Sequence, residues 1–184
     1  MLECLRPKEY YPPMPPCLDL RYRIPFKKVK KWRVLNVGAG SGYSSLALQL
    51  PFLPCKELTF IDVHQPYLDN AEARTYRAEK VYFHNADVRN YNTFGYDLVL
   101  IFDVLEHLEK EESLQVIKNI KCPLVVFIPL EKQFRKNTFG AKSQDHLSLW
   151  TEENFKCRGF KTEVLPDFHL EDGEKFDALW ALKY

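Results

Sequence analysis

The sequence has no long apolar run and no strong charge of either sign. None of its apolar stretches approaches the roughly 18 to 20 residues that a membrane-spanning helix needs. Lysine and arginine number 26 against 25 aspartate and glutamate, which gives a formal net charge of +1 at pH 7. The composition therefore predicts no membrane span and supplies no global electrostatic attraction to nucleic acid or to a membrane surface.

Paired cysteines are also lacking. The five cysteines are scattered along the chain with no Cys-x-x-Cys pair, at Cys4, Cys17, Cys55, Cys122 and Cys157. This pattern predicts free thiols in a reducing compartment and argues against a zinc site, so no metal ligand is predicted. The first residues lack the charged and apolar regions of a secretory signal. We therefore expect a cytoplasmic protein.

A length of 184 residues fits one folded domain. We expect that domain to occupy residues 32–184, after an N-terminal arm or lid over residues 1–31. Prolines between Tyr10 and Pro16 resist both helix and central strand, because proline lacks the amide donor and fixes φ. Seven cations lie between Arg21 and Arg33. They indicate either a surface for anions or a solvated amphipathic stretch, and we favour the second interpretation.

A glycine-rich turn follows the first predicted strand. The apolar stretch Val34–Val37 leads into Gly38-Ala39-Gly40-Ser41-Gly42, and Tyr43 to Leu50 is predicted to be a helix. Glycine has no Cβ, so such a turn lets the backbone contact a ligand, and the free N–H groups of the helix face the same place. A dinucleotide-binding turn needs a small residue where Tyr43 stands. The spacing thus favours a nucleoside-binding turn over an NAD-binding one.

Acidic residues follow the next three predicted strands. Asp62 ends the strand Leu58–Ile61, 20 residues after Gly42, where an acid that binds ribose hydroxyls is expected. It also has an alternative role as a cap, since His64-Gln65-Pro66 looks like a helix start. Asp87 follows the strand Val81–His84 and is placed to accept from an adenine amine, while Val88 N–H meets a ring nitrogen. Asp103 follows the strand Tyr96–Phe102.

The rest of the chain continues this alternation. We predict a helix over Leu105 to Ile120, a strand over Pro123 to Ile128 that Pro129 ends, and a long loop over residues 131–150. Thr151 begins a last helix that Gly159 terminates, and strands follow at Phe160 to Leu165 and Phe176 to Leu182. The nearly uninterrupted apolar strands are typical of a parallel sheet covered by helices on both faces.

Four motifs at four successive strand ends resemble those of the class I S-adenosylmethionine-dependent methyltransferases, over roughly residues 32–184. The last of these motifs, Asp103-Val-Leu-Glu-His-Leu108, resembles the motif found at the same place in small-molecule methyltransferases related to the ubiquinone and menaquinone biosynthesis enzymes. The resemblance implies an α/β, Rossmann-like, doubly wound sheet of order 3-2-1-4-5-7-6 with strand seven antiparallel. It also implies S-adenosylmethionine as cofactor and S-adenosylhomocysteine as product. The implied cofactor-binding residues are Asn36, Gly38, Ala39, Gly40, Gly42, Asp62, Val63, Ala86, Asp87, Val88 and Asp103.

Asn36 departs from the family pattern. The family usually has an acid two residues before the first glycine, where it helps to hold the methionine amino group. Asn36 keeps an acceptor oxygen there but carries no charge.

Two histidines are candidate catalytic residues. Transfer from a methyl sulfonium needs in-line placement of the acceptor and exclusion of water, and it needs a general base only when the acceptor is protonated. His107 and His146 fall in loops expected to face the ligand space at the strand ends. A purely structural role for either one is the alternative.

Missing motifs narrow the acceptor. No Asn/Asp-Pro-Pro-Tyr/Phe and no Pro-Cys follow strand four, which by the resemblance argues against methylation of nucleic-acid bases. A small molecule, a glycan- or lipid-linked intermediate and a protein side chain stay open, and no feature predicts an oligomeric state. An NAD(P)-binding oxidoreductase is a further alternative, disfavoured by Tyr43 and by the lack of a Tyr-x-x-x-Lys pair. Asn36 leaves open a nucleoside-binding module without catalysis.

Overall fold

The computed structural model describes residues 32–40, 55–73, 78–131, 134, 145–171 and 174–184. Several predictions lie outside these residues: the N-terminal arm over residues 1–31, Gly42, the helix over Tyr43 to Leu50 and most of the loop over residues 131–150.

The described residues form seven strands in one sheet of order β3-β2-β1-β4-β5-β7-β6. The strands are β1 Arg33–Val37, β2 Cys55–Asp62, β3 Ala78–Asn85, β4 Leu98–Phe102, β5 Leu124–Leu130, β6 Lys161–Glu171 and β7 Glu174–Lys183. β2 pairs in parallel with β1 and with β3, whereas β7 runs antiparallel to both β5 and β6. The predicted strand order and the antiparallel seventh strand are confirmed.

Three α-helices and one 3₁₀ turn are described. The helices are α1 Gln65–Glu72, α2 Lys110–Asn119 and α3 Glu152–Lys156, and the 3₁₀ turn is Leu105–His107. The first helix begins after His64 as predicted, and Thr151 caps the last one through a reciprocal pair of hydrogen bonds with Asn154. No helix among the described residues is long and apolar enough to cross a membrane.

The predicted continuous helix over Leu105 to Ile120 is wrong. Leu108 and Glu109 have extended backbone conformations that separate the 3₁₀ turn from α2. The carbonyl of Leu105 accepts from the hydroxyls of Ser113 and Ser148, at 2.8 and 2.9 Å. Because these side chains provide other donors, the backbone gains no advantage from closing a regular helical turn here.

The predicted end of the fifth strand at Pro129 is also wrong. β5 continues to Leu130, and Pro129 stands opposite Ala178 of β7. Proline fixes φ at a value that an extended strand tolerates and removes only one N–H donor. One missing donor therefore leaves the pairing on both sides of Pro129 intact.

The chain divides within β4 into two compact units, an N-terminal unit that ends at Leu100 and a C-terminal unit that begins at Ile101. In the N-terminal unit, Leu35, Leu58, Phe60, Ile61 and Leu68 are fully buried where β1, β2 and α1 supply apolar side chains. Burial of such side chains is the main favourable term in folding.

Arg33 fixes the start of β1 within the N-terminal unit. Its guanidinium donates to the Glu57 carboxylate at 3.1 Å and to the Gly95 carbonyl at 3.1 Å. Its backbone N–H donates to the Asp97 carboxylate at 2.8 Å. These bonds tie β1 to β2 and to the turn before β4, and the Glu57 bond raises the pKa of Arg33, so the guanidinium stays charged.

In the C-terminal unit, aromatic rings fill the core. Trp180 lies 5.3 Å from Phe102 and 4.6 Å from Phe127, measured between ring centroids, and Trp150 lies 5.0 Å from Phe155. Rings at these distances add packing energy beyond their buried area.

Lys110 links α2 to the segment that precedes α3. Its ammonium donates to the Leu149 carbonyl at 2.6 Å and to the Asn154 side chain at 2.8 Å. The same nitrogen lies 3.4 Å from the centre of the Trp150 ring. The ammonium thus combines two hydrogen bonds with a cation–π contact.

We expect Lys110→Met to lower the free energy of unfolding by about 1 to 3 kcal/mol, because methionine keeps the apolar stem but leaves two acceptors without their donor. Chemical denaturation measures the change. Lys118→Met, on the exposed side of α2, is the matched control and should change little. Equal stability of the two variants would show that Lys110 contributes no more than a surface lysine.

Candidate functional site

The glycine turn after β1 is bound to the end of β2. The N–H groups of Gly38 and Ala39 donate to the Ile61 carbonyl at 2.9 and 3.1 Å. Gly40 has φ of +50°, and a Cβ built there would meet no described atom within 4 Å. The left-handed backbone conformation favours glycine at this position, and no described residue fills the space beside it. Such a turn leaves room for a ligand close to the backbone.

Asp62 connects this turn to the start of α1. Its Oδ2 accepts from Gly40 N–H at 3.1 Å, and its Oδ1 accepts from His64 N–H at 2.8 Å. Burial raises the pKa of Asp62, and the bonds from the two N–H groups counteract the rise. The carboxylate therefore binds the N–H of the residue before α1 and fixes the glycine turn. It does not cap α1, whose N-cap is His64 and whose first N–H groups receive no side-chain cap from the described residues.

The end of β3 joins the same group of loops. Ala86 N–H donates to the Asp62 carbonyl at 3.0 Å, and the Asn85 side chain donates to the Val63 carbonyl at 3.1 Å. Val63 is 59% exposed although it is apolar, whereas Val88 is buried. The N-terminal unit thus brings together these predicted residues: Gly38, Ala39, Gly40, Asp62, Val63 and Ala86.

Asp87 is already paired. Its carboxylate accepts from Arg89 Nε at 2.9 Å and from Arg89 Nη2 at 2.5 Å, and this pairing lowers the pKa of Asp87. A carboxylate has about four acceptor positions. Asp87 therefore remains ionised and keeps acceptor capacity beside the pair.

Asn36 is fully buried in β1. Neither the oxygen nor the nitrogen of its amide has a hydrogen-bond partner among the described residues. A buried amide without a partner costs free energy, and such groups in native proteins call for an explanation. Its position two residues before Gly38 makes it a candidate for a bond to a ligand.

Asp103 belongs to the C-terminal unit, directly after β4. It has φ of +49°, and its N–H donates to the Phe127 carbonyl at 3.0 Å. Residues other than glycine seldom adopt this left-handed conformation, which is concentrated at functional sites.

Four side chains in the C-terminal unit form a buried group, here named the histidine cluster: Glu106, His107, Glu131 and His146. His146 Nδ1 lies 2.5 Å from Glu131 Oε2, and the rings of His107 and His146 lie 4.8 Å apart. Glu106 is 2% exposed, and its Oε1 lies 3.9 Å from His107 Nε2. Both predicted catalytic histidines are therefore in one cluster with two acids.

His107 is neutral at physiological pH. Its Nδ1 lies 3.1 Å from the Asp145 carbonyl, which can only accept, so the ring hydrogen is assigned to Nδ1. Burial, with a smaller contribution from His146, lowers the pKa of His107 to about 4. Its Nε2 thus carries a lone pair on the side of Glu106.

Backbone hydrogen bonds explain why residues almost 40 positions apart meet. The Glu106 carbonyl accepts from the N–H groups of Leu147 and Ser148, at 2.6 and 3.1 Å. The Ser148 hydroxyl in turn donates to the Leu105 carbonyl at 2.9 Å. The segment around His146 therefore lies along the 3₁₀ turn that carries His107.

Sequence reasoning did not include Glu106 or Glu131 among the site residues. Glu106 stands inside the motif after strand four, and Glu131 directly follows the apolar strand β5. An acid just after an apolar strand is the same signal that identified Asp62 and Asp103. For Glu131 the predicted end of the strand at Pro129 hid that signal.

Comparison with known proteins agrees with this architecture. A family model described as a methyltransferase domain matches residues 35–124, from β1 to the start of β5. The match covers just under half of the chain, and the strand order is that of the class I S-adenosylmethionine-dependent methyltransferases, which the chain resembles. No curated protein matches the sequence.

Solved structures of methyltransferases share the fold. An S-adenosylmethionine-dependent methyltransferase from Leishmania major is 15% identical, with a TM-score of 0.61, over 91% of this chain and 70% of that one. Magnesium protoporphyrin IX methyltransferase from Synechocystis PCC 6803, with bound S-adenosylhomocysteine, is 17% identical, with a TM-score of 0.56, over 86% and 77%. An enzyme from Archaeoglobus fulgidus is 19% identical, with a TM-score of 0.55, over 89% and 91%. At these identities the likeness shows the fold alone.

We expect Asp62→Ala to lower the free energy of unfolding of the protein without cofactor by about 1 to 2 kcal/mol, because Gly40 and His64 each lose an acceptor. Thermal and chemical denaturation measure the effect. Asp69→Ala on α1 is the control, since that carboxylate accepts from the exposed Gln65 side chain. An unchanged stability in Asp62→Ala would mean that the glycine turn holds its conformation without Asp62.

Proposed function

We propose that this chain transfers a methyl group from S-adenosylmethionine to a small molecule, to a glycan- or lipid-linked intermediate or to a protein side chain. The observation that carries the proposal is the bond between Asp62 and Gly40, which fixes a carboxylate beside a glycine turn where no described atom lies within 4 Å of a Cβ built at Gly40. Such an arrangement suits a ribose whose two hydroxyls need acceptors close to the backbone. Nucleic-acid bases are not the proposed acceptor.

The loop ends of the N-terminal unit supply the proposed contacts to the cofactor. Each Asp62 oxygen accepts one backbone N–H and keeps lone pairs for a ribose hydroxyl. Val63 offers an exposed apolar surface to the adenine ring. Asp87 and Val88 bind the adenine edge, and Asn36 accepts from the methionine ammonium. Gly38, Ala39, Gly40, Ala86, Gly42 and Asp103 complete the proposed cofactor site.

The reaction itself exchanges one bond for another. The acceptor atom forms a bond to the methyl carbon as the carbon–sulfur bond breaks, and the electron pair of that bond returns to sulfur, so the sulfonium becomes a thioether. Positioning supplies much of the rate. A hydroxyl or acidic carbon must in addition lose its proton. We propose that His107 and His146 assist this loss, since each ring has its Nδ1 engaged and therefore offers the lone pair of Nε2.

Location and domain limits are proposed from the sequence. We place the chain in the cytoplasm, and Cys55 and Cys157 are free thiols in the described part. Burial raises the pKa of Cys55 to about 12, so that this thiol stays protonated and unreactive. We assign cofactor binding and catalysis to residues 32–184, preceded by an arm or lid over residues 1–31.

S-adenosylhomocysteine should bind at least about tenfold more tightly than NAD or NADH, a difference of about 1.4 kcal/mol. One adenosine with an amino-acid tail matches the glycine turn, whereas a second nucleotide has no counterpart in the sequence. Calorimetry at one pH and salt concentration measures the affinities for S-adenosylhomocysteine and for NAD or NADH. Adenosine, which lacks the amino-acid tail, is the control ligand. Equal affinity, or a preference for NAD, would overturn the proposed function.

Asn36→Asp should tighten S-adenosylmethionine binding by about 1 kcal/mol, because a carboxylate pairs with the methionine ammonium more strongly than an amide does. The same variant without cofactor should be less stable than the parent, since its buried carboxylate has no partner. Calorimetry and thermal unfolding with and without cofactor measure both effects. Asn36→Leu keeps the volume without an acceptor and should bind more weakly. Weaker binding by the folded Asp variant would show that Asn36 does not contact the ammonium.

A further inference from the structure

We propose that the histidine cluster binds a divalent first-row transition-metal ion through Glu106, His107 and His146. One potential ligand atom from each of these side chains lies within 4.8 Å of the other two. Among the described residues they are the only group of three histidine, cysteine or acidic side chains arranged in this way. Two imidazoles and one carboxylate are a donor set found in zinc and non-haem iron sites.

Each ring is held as a metal-bound histidine usually is. A ligating histidine commonly donates its second ring N–H to a carboxylate or a backbone carbonyl, which fixes the ring and makes the ligating nitrogen more basic. His146 Nδ1 meets the Glu131 carboxylate at 2.5 Å, and His107 Nδ1 meets the Asp145 carbonyl at 3.1 Å. A carboxylate therefore orients the ring of His146, and a backbone carbonyl orients the ring of His107. Glu131 acts in this arrangement as a positioning residue, through His146.

The charges of the cluster favour a cation. Glu106 and Glu131 are both buried, and the side chain of Glu131 is 3% exposed. Burying carboxylates costs free energy unless positive charge or hydrogen bonds compensate. The Glu106 Oε1 lies 3.9 Å from His107 Nε2. A divalent ion between these two atoms would bind the ring nitrogen and reduce the cost of burying the carboxylate.

Binding requires only a small movement. Ligand atoms around a tetrahedral zinc ion lie about 3.4 Å apart, given metal–ligand distances near 2.1 Å. Glu106 Oε1 lies 3.9 Å from His107 Nε2, and the potential ligand atoms of Glu106, His107 and His146 all lie within 4.8 Å of one another. Side-chain rotations that move the ligand atoms by about 1 Å therefore bring them to coordination distance. The backbone hydrogen bonds of Leu147 and Ser148 can remain during this movement.

The donor atoms also select among metals. Imidazole nitrogen suits zinc, cobalt, nickel and iron, whereas magnesium and calcium prefer oxygen ligands throughout. Three protein ligands leave a coordination position open for water or for an oxygen or nitrogen of the acceptor. With the histidines bound to a metal, the metal would take over the role proposed for them as bases: it would lower the pKa of a bound hydroxyl, whose proton would pass to solvent water before methyl transfer. That catalytic role rests on the proposed function, whereas metal binding does not.

The test titrates the full-length, chelator-treated protein with Co²⁺, followed by visible absorption, and with Zn²⁺ and Mg²⁺, followed by calorimetry. We expect one Co²⁺ or Zn²⁺ ion per chain and binding of Mg²⁺ at least 100-fold weaker. His107→Gln and His146→Gln should each weaken Co²⁺ binding at least 100-fold. Glu131→Gln, which removes only the support of His146, should weaken it about 10- to 100-fold. His84→Gln, an exposed histidine of β3 bonded to Tyr91, is the matched control and should bind like the parent.

Three results would overturn the metal site: no stoichiometric binding by the parent, unchanged binding in both histidine variants, or Mg²⁺ affinity equal to that of Zn²⁺. If the histidine variants do not fold, X-ray absorption of the Co²⁺-loaded parent decides, because two imidazoles in the first coordination shell support the site and fewer contradict it. S-adenosylhomocysteine affinity is measured on the same samples. If the parent protein binds the metal ion but not S-adenosylhomocysteine, the proposed function is contradicted. If it binds S-adenosylhomocysteine but not the metal ion, the metal site is contradicted.

Discussion

Parallel pairing of β1 with β2 and of β2 with β3 decides where the polar groups of the N-terminal unit lie. Register pairs Val37 with Ile61 and Asp62 with Asn85, so the loops that follow the three strands begin side by side. Parallel strands end at the same edge of a sheet, and the polar residues after them meet there. The hydrogen bonds from Gly38, Gly40 and Ala86 to the end of β2 follow from that register.

A different constraint shapes the C-terminal unit. The carbonyls of Leu105 and Glu106 accept hydrogen bonds from Ser113, Ser148 and Leu147, where a regular helix would use them internally. Buried backbone groups must find partners, and here side chains and a distant segment provide them. The hydrogen bonds that replace the helical ones thus also hold the segment of His146 beside His107. Packing of Trp150 and the bonds of Lys110 stabilise the end of that segment.

The two candidate centres differ in physical character. The glycine turn and Asp62 are half-buried, and they present backbone groups and a carboxylate suited to a polar ligand. The histidine cluster is buried and holds acids and imidazoles in short contact. Burial in this cluster lowers the pKa of His107 to about 4.

The amino-acid sequence by itself determined the elements whose signals are local. Apolar runs marked the strands, Thr151 and Gly159 marked the ends of α3, and the acid after β2 marked Asp62, because capping, turn chemistry and periodicity act within a few residues. The order of the strands followed from the resemblance that these motifs carry. Tertiary structure decided the break between the 3₁₀ turn and α2, the passage of β5 through Pro129 and the pairing of Asp87 with Arg89. It also decided the contact of His146 with Glu131 and His107, since those groups meet only through bonds between distant segments whose energies no local pattern records.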